Sequence, residues 1–343
     1  MFSGLFYKFT NFFCYICLLR AKRKFNKNTV IIMKKIILAF AAAVLSAGMM
    51  SAQDMATATE TYNNGAEKFQ AGDKVAALDL FKKALTMGEA CGDEGAELVA
   101  NCKNTIPALT LSIGKDLVKD KDYDAAIAKI AEAEAVAKEY ENDEVIADAA
   151  ELLPQVYQAA GTAAYSAKEM DKAIELFQKA LDLNPENGAT ALRLGQALNA
   201  LGKVDEAKAA FQTAMANGQE ENAKKQLGNI VIKEAQAAQK AGKNADVVSI
   251  IAKADEEGLI TNAAAYQLAA SASQKLNKIG DAIKYFEKFI DADPNNKNVG
   301  AIAYTVGALY QGQNNKAKAL EYYKKAVDKG YAAAADMVKA LSK

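Results

Sequence analysis

Hydrophobic positions after residue 52 recur at helical spacing. A small residue is followed four positions later by a bulky one, and three positions after that by a second small or apolar one. These spacings place all three members on one face of an α-helix. The pattern predicts a series of amphipathic helices, whose clearest copies are Ala77/Phe81/Ala84, Ala126/Ile130/Ala133, Ala173/Phe177/Ala180, Ala207/Phe211/Ala214 and Ala319/Tyr323/Ala326, with looser copies at Val247/Ile251/Ala254 and Ala282/Phe286/Phe289.

Another small residue precedes each triplet by twelve positions. Glycine inside a helix costs roughly 0.5–1 kcal/mol relative to alanine, so its recurrence at one register indicates close approach of a partner helix. A short polar turn such as Leu201-Gly202-Lys203 lies in between. We therefore predict helix hairpins in which the first helix has a notch and the second helix fills it; the notch residues are Gly65, Gly114, Gly161, Gly195, Ala235, Ala270 and Gly307.

The best copy resembles the tetratricopeptide repeat (TPR) family almost throughout. It runs from Gly161 through Ala173-Ile174-Glu175-Leu176-Phe177-Gln178-Lys179-Ala180-Leu181-Asp182-Leu183-Asn184-Pro185. The resemblance implies an all-α, right-handed solenoid of about seven TPR-like helix hairpins with a C-terminal capping helix. We predict a solenoid over 53–343, with hairpins at about 58–91, 107–140, 154–187, 188–221, 228–261, 263–296 and 300–333 and the capping helix at 331–342.

Two intervals between hairpins, of 49 and 47 residues, are much longer than the family's period of 34 residues. In both of them a proline, Pro107 or Pro154, stands seven residues before the notch glycine. The sequence before each proline has a helical pattern. We expect extended lead-in helices that kink or restart at the proline.

The first 52 residues have a different character. Met33-Lys34-Lys35, an apolar run over 36–46 and small residues ending at Ala52 match a secretory signal, so we predict a signal peptide at 33–52 that is cleaved near Ala52. An uncleaved anchor is the alternative, although the apolar run is shorter than the roughly 20 residues of a spanning helix. Residues 1–32 are interpreted as a mis-assigned upstream extension, with an extra membrane segment over 2–19 as the alternative.

Charge is distributed unevenly along the chain. The 42 basic and 42 acidic residues balance, but residues 1–52 hold eight of the bases and no acid, which leaves 34 bases against 42 acids. A body with a net charge of −8 offers no evident basic face to replace phosphate counterions. We therefore expect no nucleic-acid partner. The signal peptide in turn predicts an exported periplasmic or cell-envelope location, and no stable membrane insertion once the signal is cleaved.

Candidate chemistry is sparse in this sequence. The chain has no His, which removes Ser-His-Asp and Cys-His catalytic arrangements, and neither the phosphate-binding loop nor the dinucleotide fingerprint occurs. Cys91 and Cys102 are interpreted as buried thiols or, alternatively, as a disulfide. Acidic pairs such as Asp93-Glu94, Glu220-Glu221 and Glu256-Glu257 are typical of helix ends. We predict no catalytic residue, metal or cofactor.

The family resemblance implies that residues beside the notches line the concave groove of the solenoid. The stripe is rich in amides and nearly uncharged, as suits the backbone of an extended peptide. Its Arg193 could hold a partner's carboxylate or form an inter-repeat ion pair. The predicted stripe residues are Gln158, Thr162, Tyr165, Leu192, Arg193, Gln196, Asn199, Ile232, Gln236, Gln239, Gln267, Ser271, Gln274, Tyr304 and Gln311.

These features favour a non-enzymatic exported scaffold that binds protein or peptide segments through its concave face. An ordinary soluble surface is the simplest alternative for the stripe. A carbohydrate or cell-wall binding module, using exposed Tyr rings beside the amides, is the alternative function. The body has no Trp for such a site.

Overall fold

The computed structural model describes residues 54–343, and these form α-helices joined by short turns, together with one 3-10 helix at Gly92–Gly95. The predictions for residues 1–53, including the signal peptide, lie outside the described residues. The helices are α1 (54–70), α2 (Lys74–Ala90), α3 (Ala96–Lys119), α4 (Tyr123–Glu139), α5 (Asp143–Ser166), α6 (Met170–Leu183), α7 (Gly188–Ala200), α8 (Val204–Ala216), α9 (Glu220–Lys240), α10 (Asn244–Glu256), α11 (Ala264–Lys275), α12 (Ile279–Ala292), α13 (Val299–Gly312), α14 (Lys316–Asp328) and α15 (Ala334–Leu341).

The predicted periodicity coincides with the core. Every position of the seven triplets is buried, and so is every notch residue. Phe177, Phe211 and Tyr323 are among the largest fully buried side chains. The prediction of an all-α repeat fold is therefore confirmed over the described residues.

The polar turns inside the hairpins share one backbone conformation. Each contains a residue with positive φ, which lets the chain reverse direction between two helices. Gly supplies it at three turns, whereas Lys and Asn supply it at the others, although lysine rarely adopts the left-handed region. The φ values are 85° at Gly72, 62° at Lys121, 65° at Lys168, 77° at Gly202, 73° at Gly242, 57° at Asn277 and 59° at Asn314.

The chain divides into two compact units, and the described residues of the first are 54–115 and 132–146. In this unit the notch at Gly65 lies against the ring of Phe81, and Tyr62 packs on the same ring with a centroid distance of 5.0 Å. The hydroxyl of Thr61 also approaches the sulfur of Met87 at 3.7 Å. One apolar cluster therefore joins α1 to α2.

The second unit comprises Asp116–Ala131 and Ala147–Lys343. From α6 onward each helix packs on the next along the chain, and α9 also contacts both α7 and α11. A single apolar cluster runs through these helices. Such nearest-neighbour packing is how repeat proteins build a continuous core.

Two expectations about helix boundaries need adjustment. Neither long helix restarts at its proline, because α3 continues through Pro107 and α5 through Pro154. The last helix begins at Ala334 rather than at residue 331, after a turn in which Gly330 has a φ of 80°. The predicted domain limits otherwise stay a prediction. None of the helices within 54–343 combines the length and the apolarity needed to cross a bilayer.

Candidate functional site

The first helices of the hairpins are held close to the second helices by the predicted notches. A Cβ atom added to Gly195 would lie 2.6 Å from Cε1 of Phe211, and one added to Gly161 would lie 2.7 Å from Cδ1 of Phe177. Real Cβ contacts are longer than this, so only glycine fits. The prediction of a notch filled by a bulky ring is confirmed at these positions. Packing of this kind fixes where the neighbouring stripe residues stand.

The structure places the predicted stripe on five helices of the second unit. Gln158, Thr162 and Tyr165 lie on α5, and the remaining residues lie on α7, α9, α11 and α13. All are half-buried except Arg193 and Gln236, which are exposed. Half-burial means that each side chain is partly fixed by its neighbours and still reaches solvent. That these residues line a concave binding face stays a prediction.

The larger apolar members of the stripe rest on the core. Tyr165, Leu192, Ile232 and Tyr304 all pack against the buried cluster of this unit. Tyr304 also contacts two further rings, Tyr323 at 5.3 Å and Tyr331 at 5.2 Å between centroids. These side chains are anchored on one side and can offer only the other side to a ligand.

The amides of the stripe fall into two groups. Gln158 and Gln311 already have partners, because Asn187 donates to Oε1 of Gln158 at 3.4 Å and the Tyr323 hydroxyl donates to Oε1 of Gln311 at 2.8 Å. The others form no side-chain hydrogen bond within the described part of the chain, and these are Gln196, Asn199, Gln236, Gln239, Gln267 and Gln274. Each of these six keeps donors and an acceptor available for a ligand.

The stripe also contains two aliphatic hydroxyl groups, those of Thr162 and Ser271. Thr162 donates to the backbone oxygen of Gln158 at 2.9 Å, so its hydrogen is already used inside α5. Ser271 lies half-buried on α11 between Gln267 and Gln274.

Arg193 is exposed on α7, and no carboxylate among residues 54–343 forms an ion pair with it. The expected alternative, an ordinary ion pair between repeats, does not form there. An unpaired guanidinium can accept a carboxylate with two parallel hydrogen bonds.

The remaining candidate groups have structural explanations. Both described cysteines are free thiols, so the disulfide does not form, and burial raises the pKa of Cys102 to about 11. A thiol with such a pKa stays protonated and is a poor nucleophile at neutral pH. Glu220 pairs with Lys224 at 2.6 Å, and this hydrogen bond and charge lower the pKa of Glu220. No group of three His, Cys, Asp or Glu residues within 54–343 could hold a metal ion.

The alternative of a carbohydrate module needed exposed tyrosine rings. Among residues 54–343 every tyrosine is half-buried or buried. Several hydroxyls are also engaged, since Tyr310 and Tyr322 both donate to Oε1 of Glu287 at 2.9 and 2.8 Å. No tyrosine among the described residues is therefore exposed in the way that this alternative expected.

Sequence reasoning missed the polar clusters that join successive helices. Asp255 on α10 accepts a hydrogen bond from the Tyr266 hydroxyl on α11 at 2.6 Å and also binds Lys288 on α12. Burial acts to raise the pKa of Asp255, but the bonds from Lys288 and Tyr266 outweigh it and the pKa is lowered. The sequence contains no short-range signal for this cluster, because its members are 11 and 33 residues from Asp255.

Parts of the chain match models of a known repeat family. Two family models, both described as tetratricopeptide repeat, match the chain, one at residues 164–230 and the other at residues 263–296 and 301–328. No sequence among curated proteins matches it.

Several solved structures are similar to the chain at low sequence identity. YrrB, described as a TPR protein with an unusual peptide-binding site, is 21% identical, with 51% of this chain and 85% of that chain covered and a TM-score of 0.30. A tetratricopeptide repeat protein from Parabacteroides merdae is 16% identical, with 83% and 99% covered and a TM-score of 0.25. The P58(IPK) TPR domain is 16% identical, with 83% and 98% covered and a TM-score of 0.28. The chain therefore contains tetratricopeptide repeats, matched at residues 164–230, 263–296 and 301–328.

Proposed function

We propose that the chain is a non-enzymatic, exported scaffold that binds extended protein segments through the first helices of its repeats. The family assignment supports a protein-interaction role. The binding surface is the predicted stripe on α5, α7, α9, α11 and α13. The observation that carries the proposal is the set of six stripe amides without hydrogen-bond partners among the described residues.

Amide side chains suit a peptide backbone because each offers both donors and an acceptor. An extended segment exposes a backbone N–H and C=O at every residue except proline. The half-buried Leu192 and Ile232 lie between these amides along the stripe and supply apolar contact. Affinity would come from many modest contacts on a surface that is already ordered.

The stripe is nearly uncharged, with Arg193 as its one ionic group. Binding through amides and apolar contacts depends little on ionic strength, because salt screens only interactions between charges. We expect a partner to remain bound at high salt. A partner held by the acidic body as a whole would be released.

The test is a pull-down from cell-envelope extract of the source organism, using protein purified after expression of the full sequence. The variant Gln196→Ala/Asn199→Ala removes two unpaired amides from α7 and should lose one recurring protein that the unmodified chain retains at high salt. A matched control, Gln212→Ala/Asn222→Ala, removes two exposed amides from α8 and α9 outside the stripe and should retain it.

Direct titration of the recovered protein then measures how much the two amides contribute to binding affinity. Each lost amide removes one or two hydrogen bonds worth roughly 0.5–1.5 kcal/mol apiece, so loss of both amides should lower the affinity by roughly fivefold or more. Equal binding by the Gln196→Ala/Asn199→Ala variant and the unmodified chain would contradict a stripe-borne function.

A further inference from the structure

A groove lies between the second helices of two consecutive repeats, on a different face from the stripe. It is a cavity of about 530 Å³, within the roughly 300–1,000 Å³ range of sites that hold small ligands. Helices α6 and α8 form its walls and α7 lies between them. Its floor is aliphatic and buried, and consists of Leu181, Ala191, Leu194, Leu198 and Ala210.

Two carboxylates stand on opposite walls of this groove. Asp182 lies on α6 and Glu206 on α8, and both are exposed. Neither forms an ion pair with any cation among residues 54–343. Asp182 accepts one hydrogen bond from the Gln178 amide at 3.0 Å.

Two lysines close to these carboxylates in sequence have other partners, and Lys203 forms no ion pair with Glu206 among the described residues. Lys179 binds Glu175 at 2.7 Å, and Lys208 binds Glu234 at 2.6 Å. Two negative charges therefore remain uncompensated above an apolar floor. Ala209 and Thr213 also line the groove, and as short side chains they leave its mouth open.

We propose that this groove receives an aliphatic side chain of a partner polypeptide, flanked in sequence by Lys or Arg. The aliphatic group would cover the leucine floor, and the flanking cations would form charge-assisted hydrogen bonds with Asp182 and Glu206. The charge arrangement selects against an acidic segment, because it would bring like charges together. This surface is separate from the stripe, since α7 directs Leu194 and Leu198 to the groove and carries Gln196 and Asn199 in the stripe.

The probes are two synthetic peptides that differ only in the sign of their flanking charges, acetyl-Gly-Lys-Leu-Leu-Lys-Gly-amide and acetyl-Gly-Glu-Leu-Leu-Glu-Gly-amide. Each is titrated into methyl-labelled protein purified after expression of the full sequence, and the leucine methyl signals are followed by NMR. The lysine peptide should shift the signals of Leu181, Leu194 and Leu198 saturably. The glutamate peptide should leave them unchanged.

Variants then assign the binding to the groove. Asp182→Asn/Glu206→Gln should weaken binding of the lysine peptide roughly three- to tenfold, as expected from the loss of two exposed ion pairs. The control Asp246→Asn/Glu256→Gln removes the same charge from exposed positions on α10 and should bind normally. Ala209→Trp fills the mouth of the groove and should abolish binding while the thermal unfolding midpoint is kept.

Equal affinity for the two peptides, or full affinity in Asp182→Asn/Glu206→Gln, would overturn the proposal. Self-association that Ala209→Trp abolishes, without binding of the lysine peptide, would assign the groove to a second copy of the chain and would also overturn it. The stripe variant Gln196→Ala/Asn199→Ala should bind the lysine peptide normally. The two surfaces can therefore fail independently.

Discussion

At the scale of single residues, glycine determines how closely two helices of a hairpin approach. Gly195 has no room for a methyl group, because its Cβ would come within 2.6 and 2.7 Å of two atoms of the buried Phe211 ring. Glycine destabilises a helix relative to alanine, but at this position the Phe211 ring occupies the space that a methyl group would need. An added Cβ at Gly280 would instead meet no atom within 4 Å, so the same residue type has different roles at different positions.

Gly195→Ala is therefore expected to lower the free energy of unfolding by about 1–3 kcal/mol, the usual cost of overpacking a core. Gly280→Ala on α12 is the matched control. A Cβ at Gly280 meets nothing within 4 Å, so this change should instead raise stability by about 0.5–1 kcal/mol. Urea denaturation monitored by circular dichroism measures both changes.

A double-mutant cycle tests whether the Phe211 ring causes the loss of stability in Gly195→Ala. In a Phe211→Leu background the penalty of Gly195→Ala should become smaller, because a leucine side chain can move away from the new methyl group. An unchanged penalty in that background would show that Phe211 is not the reason for glycine at position 195.

At the scale of elements, the turns inside the hairpins share a left-handed residue without sharing its identity. Lys168 adopts a φ of 65°, whereas the corresponding residue of the next hairpin, Gly202, has a φ of 77°. A side chain other than glycine loses roughly 1–2 kcal/mol in this conformation. The repeat has therefore kept its turn geometry at some cost in stability.

Exchanging the two residue types should have opposite effects. Lys168→Gly is expected to stabilise the protein by about 0.5–1 kcal/mol after the entropy of the unfolded glycine is subtracted. Gly202→Lys should destabilise it by about 1 kcal/mol, although a Cβ there meets no atom within 4 Å. The thermal unfolding midpoints of both variants measure these changes in stability. A lower midpoint for Lys168→Gly would contradict a cost of the left-handed conformation at Lys168.

The cluster of Asp255, Tyr266 and Lys288 connects three successive helices by charge and hydrogen bonds. Folding lowers the pKa of Asp255, so its contribution to stability is complete above the ordinary pKa of 3.8 and is lost as the pH falls through the lowered value. Asp255→Asn should cost about 1–3 kcal/mol at neutral pH. The difference from the unmodified protein should shrink once the pH falls below 3.8.

Urea denaturation over this pH range tests the cluster. Asp246→Asn, which changes an exposed acid on the same helix, should show no comparable cost at neutral pH. A penalty for Asp255→Asn that stays constant with pH would mean that the charge of the carboxylate does not matter.

The sequence predicted those features that recur at a fixed spacing within one helix hairpin. The notch and its ring are local patterns, so Gly161 with Phe177 and Gly195 with Phe211 could be paired before any coordinates were considered. The Asp255 cluster and the Asp182/Glu206 groove depend on side chains from three helices whose positions share no period. The sequence left open whether α5 kinks or restarts at Pro154, because proline disfavours a helix interior but does not by itself decide where a helix ends; the structure excludes the restart.

At the scale of the whole molecule, charge separates the first 52 residues from the rest. Eight of the 42 bases and none of the acids lie in that stretch, so its removal changes the net charge from zero to −8. This change affects the two proposed surfaces differently. The negative charge of the remaining chain attracts cationic segments toward the groove between α6 and α8. Binding to the nearly uncharged stripe depends little on the net charge.

The proposed signal peptide makes a direct prediction about the chain found in cells. If residues 33–52 act as a secretory signal, the protein recovered from the cell envelope should begin at Gln53, since signal peptidase cuts after a small residue such as Ala52. Intact-mass spectrometry of the purified protein measures this. The variant Ala52→Leu places a bulky residue before the cut and should accumulate uncleaved, whereas Ala56→Leu, four residues further on, should be processed normally. A mature protein that retains Met33 in both the unmodified chain and Ala56→Leu would contradict cleavage and favour the uncleaved anchor.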